Sequence, residues 1–127
     1  MHHATSAYAR TSQTVASPRD LEATVLLKAA TRLQGIQEDW EARRTDLFEA
    51  LGFNRKLWTI LVTSVTDAEN PIDADVRQNI VELGMFTFDR TVSCLVEPAP
   101  EKLTALVNIN RELAAGLRAP AQAPQAA

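Results

Sequence analysis

Few of the side chains that do chemistry stand in useful combination in this sequence. Both histidines, His2 and His3, lie in the first three residues, and Cys94 is the only cysteine. A nucleophile needs a base within hydrogen-bond reach and a third group to orient that base, and neither a Ser/His/Asp nor a Cys/His set can be assembled. Metal binding needs clustered Cys, His or carboxylate ligands, and a lone cysteine in an apolar stretch reads as a small core residue. The glycines are isolated, so no phosphate-cradling loop is spelled out. The sequence therefore predicts no enzyme, no metal site and no cofactor. What remains is binding to another macromolecule.

Charge narrows the partner. The chain of 127 residues has a net charge of -3, whereas nucleic-acid binders carry a basic excess to neutralise phosphates. Arg43, Arg44, Arg55 and Lys56 form the one local concentration of cations, and Arg44 and Arg55 share a face if one helix carries both. A solvated face paired with Glu41 and Glu49 explains the same residues. The longest apolar runs are too short to cross a bilayer, no apolar signal region follows Met1, and a single cysteine suits a reducing compartment. A cytoplasmic location is expected, without membrane contact.

The elements that must position any binding face are helical. Ser17-Pro18-Arg19-Asp20 is a helix start, with Ser17 as cap, Pro18 at the first position and Asp20 near the positive dipole end. Leu21, Val25, Ala29, Leu33 and Ile36 then recur at helical spacing up to an end near Gly35. A second stripe, Trp40, Leu47, Phe48, Leu51, Trp58, Leu61, Val62 and Val65, predicts one long helix over 39–66, with a break at Gly52 as the alternative. After Asn70-Pro71, Asp73 caps a third helix with Val76, Ile80, Leu83, Gly84, Phe88, Thr91, Val92 and Leu95 on its apolar side. Pro98 and Pro100 stop it, and a fourth begins at Glu101, with Leu103, Leu106, Val107, Asn110, Leu113 and Leu117 in phase. The predicted fold is all-α, a small antiparallel bundle of four main helices over 17–118. Residues 1–16 are weakly ordered or a short fifth helix, and the Ala/Pro/Gln tail 119–127 is expected to be disordered and dispensable.

One stretch carries surplus apolar surface. Phe53, Leu57 and Ile60 fall on a different face from Leu51, Trp58, Leu61 and Val65. A helix apolar on two faces is either central in its bundle or keeps one face for a partner. Asn54, Asn108 and Asn110 sit among apolar neighbours, where an asparagine either fixes register inside or hydrogen-bonds a bound helix. Trp58 is expected in the interior with its indole N–H bonded.

These residues also carry a resemblance. Ala7-Tyr8-Ala9-Arg10, Ser17-Pro18-Arg19-Asp20-Leu21-Glu22, Asn54-Arg55-Lys56-Leu57-Trp58-Thr59 and Val107-Asn108-Ile109-Asn110-Arg111-Glu112-Leu113 occur in an order and spacing that resemble the flagellar biosynthesis regulator FlaF family of alphaproteobacteria. The Asn-Arg-x-Leu-Trp element combined with Asn-x-Asn-Arg is its most specific part, and the likeness spans residues 7 to about 117. The resemblance implies a helical protein that binds flagellin as an export chaperone and so regulates flagellin synthesis and secretion. The alternative it implies is post-transcriptional control of flagellin mRNA, directly or through the companion regulator FlbT. On that reading Phe53, Leu57 and Ile60 line a groove for a flagellin helix, with Asn54, Arg55, Asn108, Asn110 and Arg111 as polar guides, and the segment around Tyr8 covers the groove when it is empty.

Overall fold

The computed structural model describes residues 18–119. The first helix, α1 (Pro18–Glu38), buries Ala23, Leu26, Ala29, Ala30, Leu33 and Ile36, a stripe in which three alanines let neighbouring helices come close. It runs three residues past the expected end at Gly35. That glycine is not a left-handed cap, for no described glycine has a positive φ. Its missing side chain instead leaves room for Arg43, whose Nη1 lies 2.6 Å from where a Cβ would stand. The expected cap at Ser17, the N-terminal segment and the tail beyond Ala119 lie outside the described residues.

The single long helix expected over 39–66 is interrupted, though not at Gly52. A short α2 (Trp40–Arg43) gives way to a 3-10 turn (Arg44–Asp46) before α3 (Leu47–Val65). Between Trp40 and Leu47 the chain carries no large apolar residue. Nothing there anchors a helix to the core, and tertiary burial rather than propensity holds most helices. Through Gly52 α3 continues unbroken, and a Cβ added there would meet nothing within 4 Å.

A turn follows in which Asn70 Nδ2 donates to the Ser64 carbonyl at 2.9 Å. Arg77 Nη2 donates to the carbonyls of Asn70 and Ile72. Helix α4 (Ala74–Val96) starts after Asp73, which occupies the cap position in extended backbone but makes no capping hydrogen bond with its side chain. Its far end is closed by Lys102, whose Nζ donates to the carbonyls of Ser93 and Glu97. A cation there satisfies carbonyls that the helix leaves open. A 3-10 turn (Pro100–Lys102) leads into α5 (Leu103–Arg118).

The main helices consecutive in the chain run antiparallel, and so do α1 and α5. Gln37, near the end of α1, donates to Thr104 Oγ1 at 2.8 Å near the start of α5, and Arg118 at the other end donates to Thr24 Oγ1. Along the α3–α4 pair, Val62 faces Gly84 at one end, and Leu47 shares a core cluster with Cys94 at the other. Helix α1 packs most extensively on α5 and also on α3; α4 leans chiefly on α3. The four main helices form the antiparallel all-α bundle expected from the sequence.

Two glycines on adjacent helices should respond oppositely to alanine. At Gly84 a Cβ would sit 2.4 Å from Val62 Cγ2, and a β-branched neighbour in a helix has little rotamer freedom to yield. Gly84→Ala is expected to lower stability by about 1–3 kcal/mol, the usual cost of overpacking. Gly52→Ala meets open space and should raise it by up to about 1 kcal/mol, the helix-propensity gain. Urea unfolding midpoints of the two variants check both signs.

Candidate functional site

Among the described residues no group of three or more His, Cys, Asp or Glu is placed to hold a metal ion. Among the same residues no helix is long and apolar enough to cross a membrane. Cys94 is buried, and burial pushes its thiol above the ordinary range despite the opposing pull of Lys102 and Arg90. A thiol held protonated in this way is a core group, not a reactive one.

The residues singled out from the sequence divide between interior and surface. Trp58 is fully buried, and its Nε1–H donates to Asn110 Oδ1 at 2.9 Å. Asn110 Nδ2 donates in turn to Asn54 Oδ1 at 2.7 Å and to the Leu26 carbonyl at 3.3 Å. This carboxamide chain ties α1, α3 and α5 together. It lies between an apolar cluster around Leu33, Leu51 and Leu106 and another around Leu26, Trp58 and Leu61. Asn54 and Asn110 are therefore interior register residues and not guides in a partner groove, as the sequence reading had them. Leu57 is corrected likewise: it belongs to the second cluster. At 100° per residue it falls between Asn54 and Phe53 around α3, on the shoulder of the buried arc.

Phe53, Arg55 and Ile60 remain exposed on α3, with Phe53 at 39% and Ile60 at 60% of full exposure. Asn108 and Arg111 are exposed on α5, where Arg111 donates to Gln34 of α1. They are not brought together with Phe53, which lines a recess of about 780 Å³ formed with Thr24, Leu27, Lys28, Thr31 and Arg32 of α1. A second hollow of about 650 Å³ continues from it over Gly52, edged by Phe48, Glu49, Arg55 and Lys56. The floor of the joined recess is apolar, and its rim carries four cations against one carboxylate, Glu49, which pairs with Arg32 at 2.9 Å. Arg43 and Arg44 do not belong to this rim. The break before α3 separates them from Arg55; Arg44 lies over the Trp40 ring, 5.5 Å from its centroid, and Arg43 reaches Asp46 at 3.6 Å.

Several residues expected inside are outside: Phe48 at 75%, and Val76, Val92 and Leu95 on α4. The signal that separates them is an offset between two stripes on α4. Residues 80, 84, 87, 91 and 94 are buried, and 81, 85, 88, 92 and 95 face outward or lie at the edge.

Asn110→Ala would strand the Trp58 N–H and the Asn54 carbonyl oxygen in the interior, at about 1–3 kcal/mol for each, whereas Asn108→Ala on the exposed face should change stability by less than about 0.5 kcal/mol; thermal unfolding distinguishes them. Burial raises the Glu22 carboxyl above its ordinary value of 4.5 more than Arg19 lowers it. The folded chain then holds that proton to higher pH than the unfolded chain, so stability falls as pH rises above the ordinary value. Glu22→Gln should be more stable than the wild type at pH 7, with the advantage vanishing at pH 3 where both side chains are neutral.

Comparison with curated proteins returns no match, and neither does comparison with solved structures. A family model does match, that of the flagellar protein FlaF, over residues 4–117, which takes in the buried asparagines, Trp58 and the recess at Phe53 alike. By that match over nearly its whole length, the chain belongs to the FlaF family of flagellar proteins.

Proposed function

We propose that this protein binds flagellin in the cytoplasm as an export chaperone, and through that binding regulates flagellin synthesis and secretion. The observation that carries the reading is the recess between α1 and α3. It has an apolar floor at Leu27 and Phe53, open space over Gly52, and a rim of Lys28, Arg32, Arg55 and Lys56. An amphipathic helix lays its apolar face into such a groove, and carboxylates on its flanks meet the cations. Flagellin segments that order only on binding spend part of the contact energy on ordering, so an extended apolar surface suits them better than a small polar one.

The same cations favour a second reading, in which the protein controls translation of flagellin mRNA, directly or through FlbT. The two differ in salt response. Phosphate contacts release counterions, so RNA binding falls steeply with salt, while an apolar helix contact does not.

Phe53→Glu and Ile60→Asp each place a charge on an already exposed position, so both variants should stay folded by circular dichroism. Each is expected to weaken co-elution with purified flagellin at least tenfold, about 1.4 kcal/mol. Leu57→Asp buries an unpaired charge and should abolish the helical signal itself. Flagellin binding unaltered in Phe53→Glu, or binding only of the flagellin leader RNA with a steep salt slope, would overturn the chaperone reading.

A further inference from the structure

Helix α4 is packed the wrong way round for a surface helix. Its inward stripe is Ile80, Gly84, Thr87, Thr91 and Cys94, small and partly polar apart from Ile80, and all five are buried. One residue further on runs a larger and more apolar stripe: Val81, Met85, Phe88, Val92 and Leu95. Val81 and Phe88 are half-buried, while Met85 is 57%, Val92 58% and Leu95 41% exposed. Burial of apolar area is the main drive to fold, so a helix free to rotate would turn this second stripe inward. It cannot, because Gly84 is what lets α4 approach Val62 and Trp58.

The outward stripe recurs at spacings of four, three, four and three residues, the 3.5-residue repeat by which one helix packs along another. It is about 21 Å long, at 1.5 Å per residue. Glu82 and Asp89 each follow a stripe residue by one position and lie seven apart, so they line one flank of it; both are exposed. Glu82 accepts a hydrogen bond from Gln78, and neither carboxylate is in an ion pair among the described residues. Phe86, on the other side of the helix, is accounted for differently, with Arg90 over its ring at 5.1 Å.

We propose that this α4 seam is a second docking site, distinct from the recess at Phe53, and that it takes a partner helix with an apolar 4-3 stripe flanked by Lys or Arg. Charge decides the occupant. A second copy paired through the same seam would set like carboxylates along one flank, Asp89 against Asp89 in the two-fold antiparallel arrangement, which is repulsive. The chain's own segments outside 18–119 contain a single Lys or Arg, Arg10, and do not supply a basic flank. With a basic recess on one side and an acidic seam on another, the protein can hold two partner helices of opposite flank charge at once.

The test uses the full chain and two labelled 21-residue peptides with leucines at the 4-3 positions, one flanked by lysines and the other by glutamates, read by fluorescence anisotropy. In the Phe53→Glu background, where the basic recess no longer competes, the protein is expected to bind the lysine peptide at least tenfold more tightly than the glutamate peptide. Val92→Glu should lose the lysine peptide while keeping its helical signal and unfolding midpoint. Adding Glu82→Lys with Asp89→Lys to the Phe53→Glu background should reverse the preference, and affinity for the lysine peptide should be the same with and without Phe53→Glu, which separates this site from the flagellin reading. Equal binding of the two peptides in the Phe53→Glu background, no binding of the lysine peptide, or loss of the fold in Val92→Glu would overturn the proposal. So would a dimer in sedimentation equilibrium that Val92→Glu dissociates, since a second copy would then be the occupant.

Discussion

One carboxamide sets the geometry of this bundle. Asn110 accepts from Trp58 and donates to Asn54 and to the Leu26 carbonyl, so three helices can satisfy it only at one height and one rotation. A slip of one residue in α3 would turn Asn54 by 100° and leave buried polar atoms without partners, a cost that an all-apolar layer would not impose. Two apolar clusters lie on either side of this layer, and either could repack with different leucines and alanines, for such cores tolerate volume-conserving exchange. The polar layer between them does not. Its own satisfaction is incomplete, because Asn54 Nδ2 and, on α4, Thr87 Oγ1 are buried without a partner. The arrangement is thus held for the register it imposes more than for net energy, the use best attested for buried polar residues.

That register decides what the surface offers. Because Asn54 points inward, Phe53 and Ile60 are turned outward and Leu57 comes to rest at the edge of the core. The sequence pattern grouped Phe53, Leu57 and Ile60 correctly as neighbours on one side of α3. It could not say where around the helix burial stops, since that boundary depends on how near α1 approaches, and α1 comes near because its inward stripe includes Ala23, Ala29 and Ala30. The helices themselves were legible because their apolar residues recur at 3.6-residue spacing and prolines mark the ends near 71 and 98. Their terminal details were not. Gly35 reads as a stop but serves as space for Arg43, and Asp73 has the residue type of a cap without making its bond.

Helix α4 shows why amphipathic reading has a limit. Two apolar stripes offset by one residue merge into one broad apolar side in sequence, and the pattern does not tell whether Ile80, Gly84 and Thr91 or Val92 and Leu95 lie inward. The fold selects the smaller ones. Gly84 admits Val62 and the Trp58 ring to close contact. The Thr91 hydroxyl donates to the Thr87 carbonyl at 2.7 Å, satisfying itself within its own helix. Close approach of two helices yields more dispersion contact per unit length than large side chains held farther apart. Met85, Val92 and Leu95 are left outward and Val81 and Phe88 only half-buried as a consequence, so the surplus apolar surface on α4 and the tight α3–α4 contact are one choice seen from two sides.

Opposite flank charges make the two apolar faces more than duplicates. With a net charge of only -3, the average field of the chain steers little, and discrimination must come from how charge is distributed. Cations gather at the recess of α1 and α3, whereas carboxylates border the stripe on α4. An amphipathic helix suited to one face therefore meets like charge at the other, and such repulsion separates partners more effectively than apolar contact, which is nearly indifferent to sequence. Selectivity of this kind needs the two faces held rigidly apart. The helix that carries Phe53, Arg55 and Ile60 outward also fixes α4 through Val62, and its rotation is set by the bond from Asn110 to Asn54.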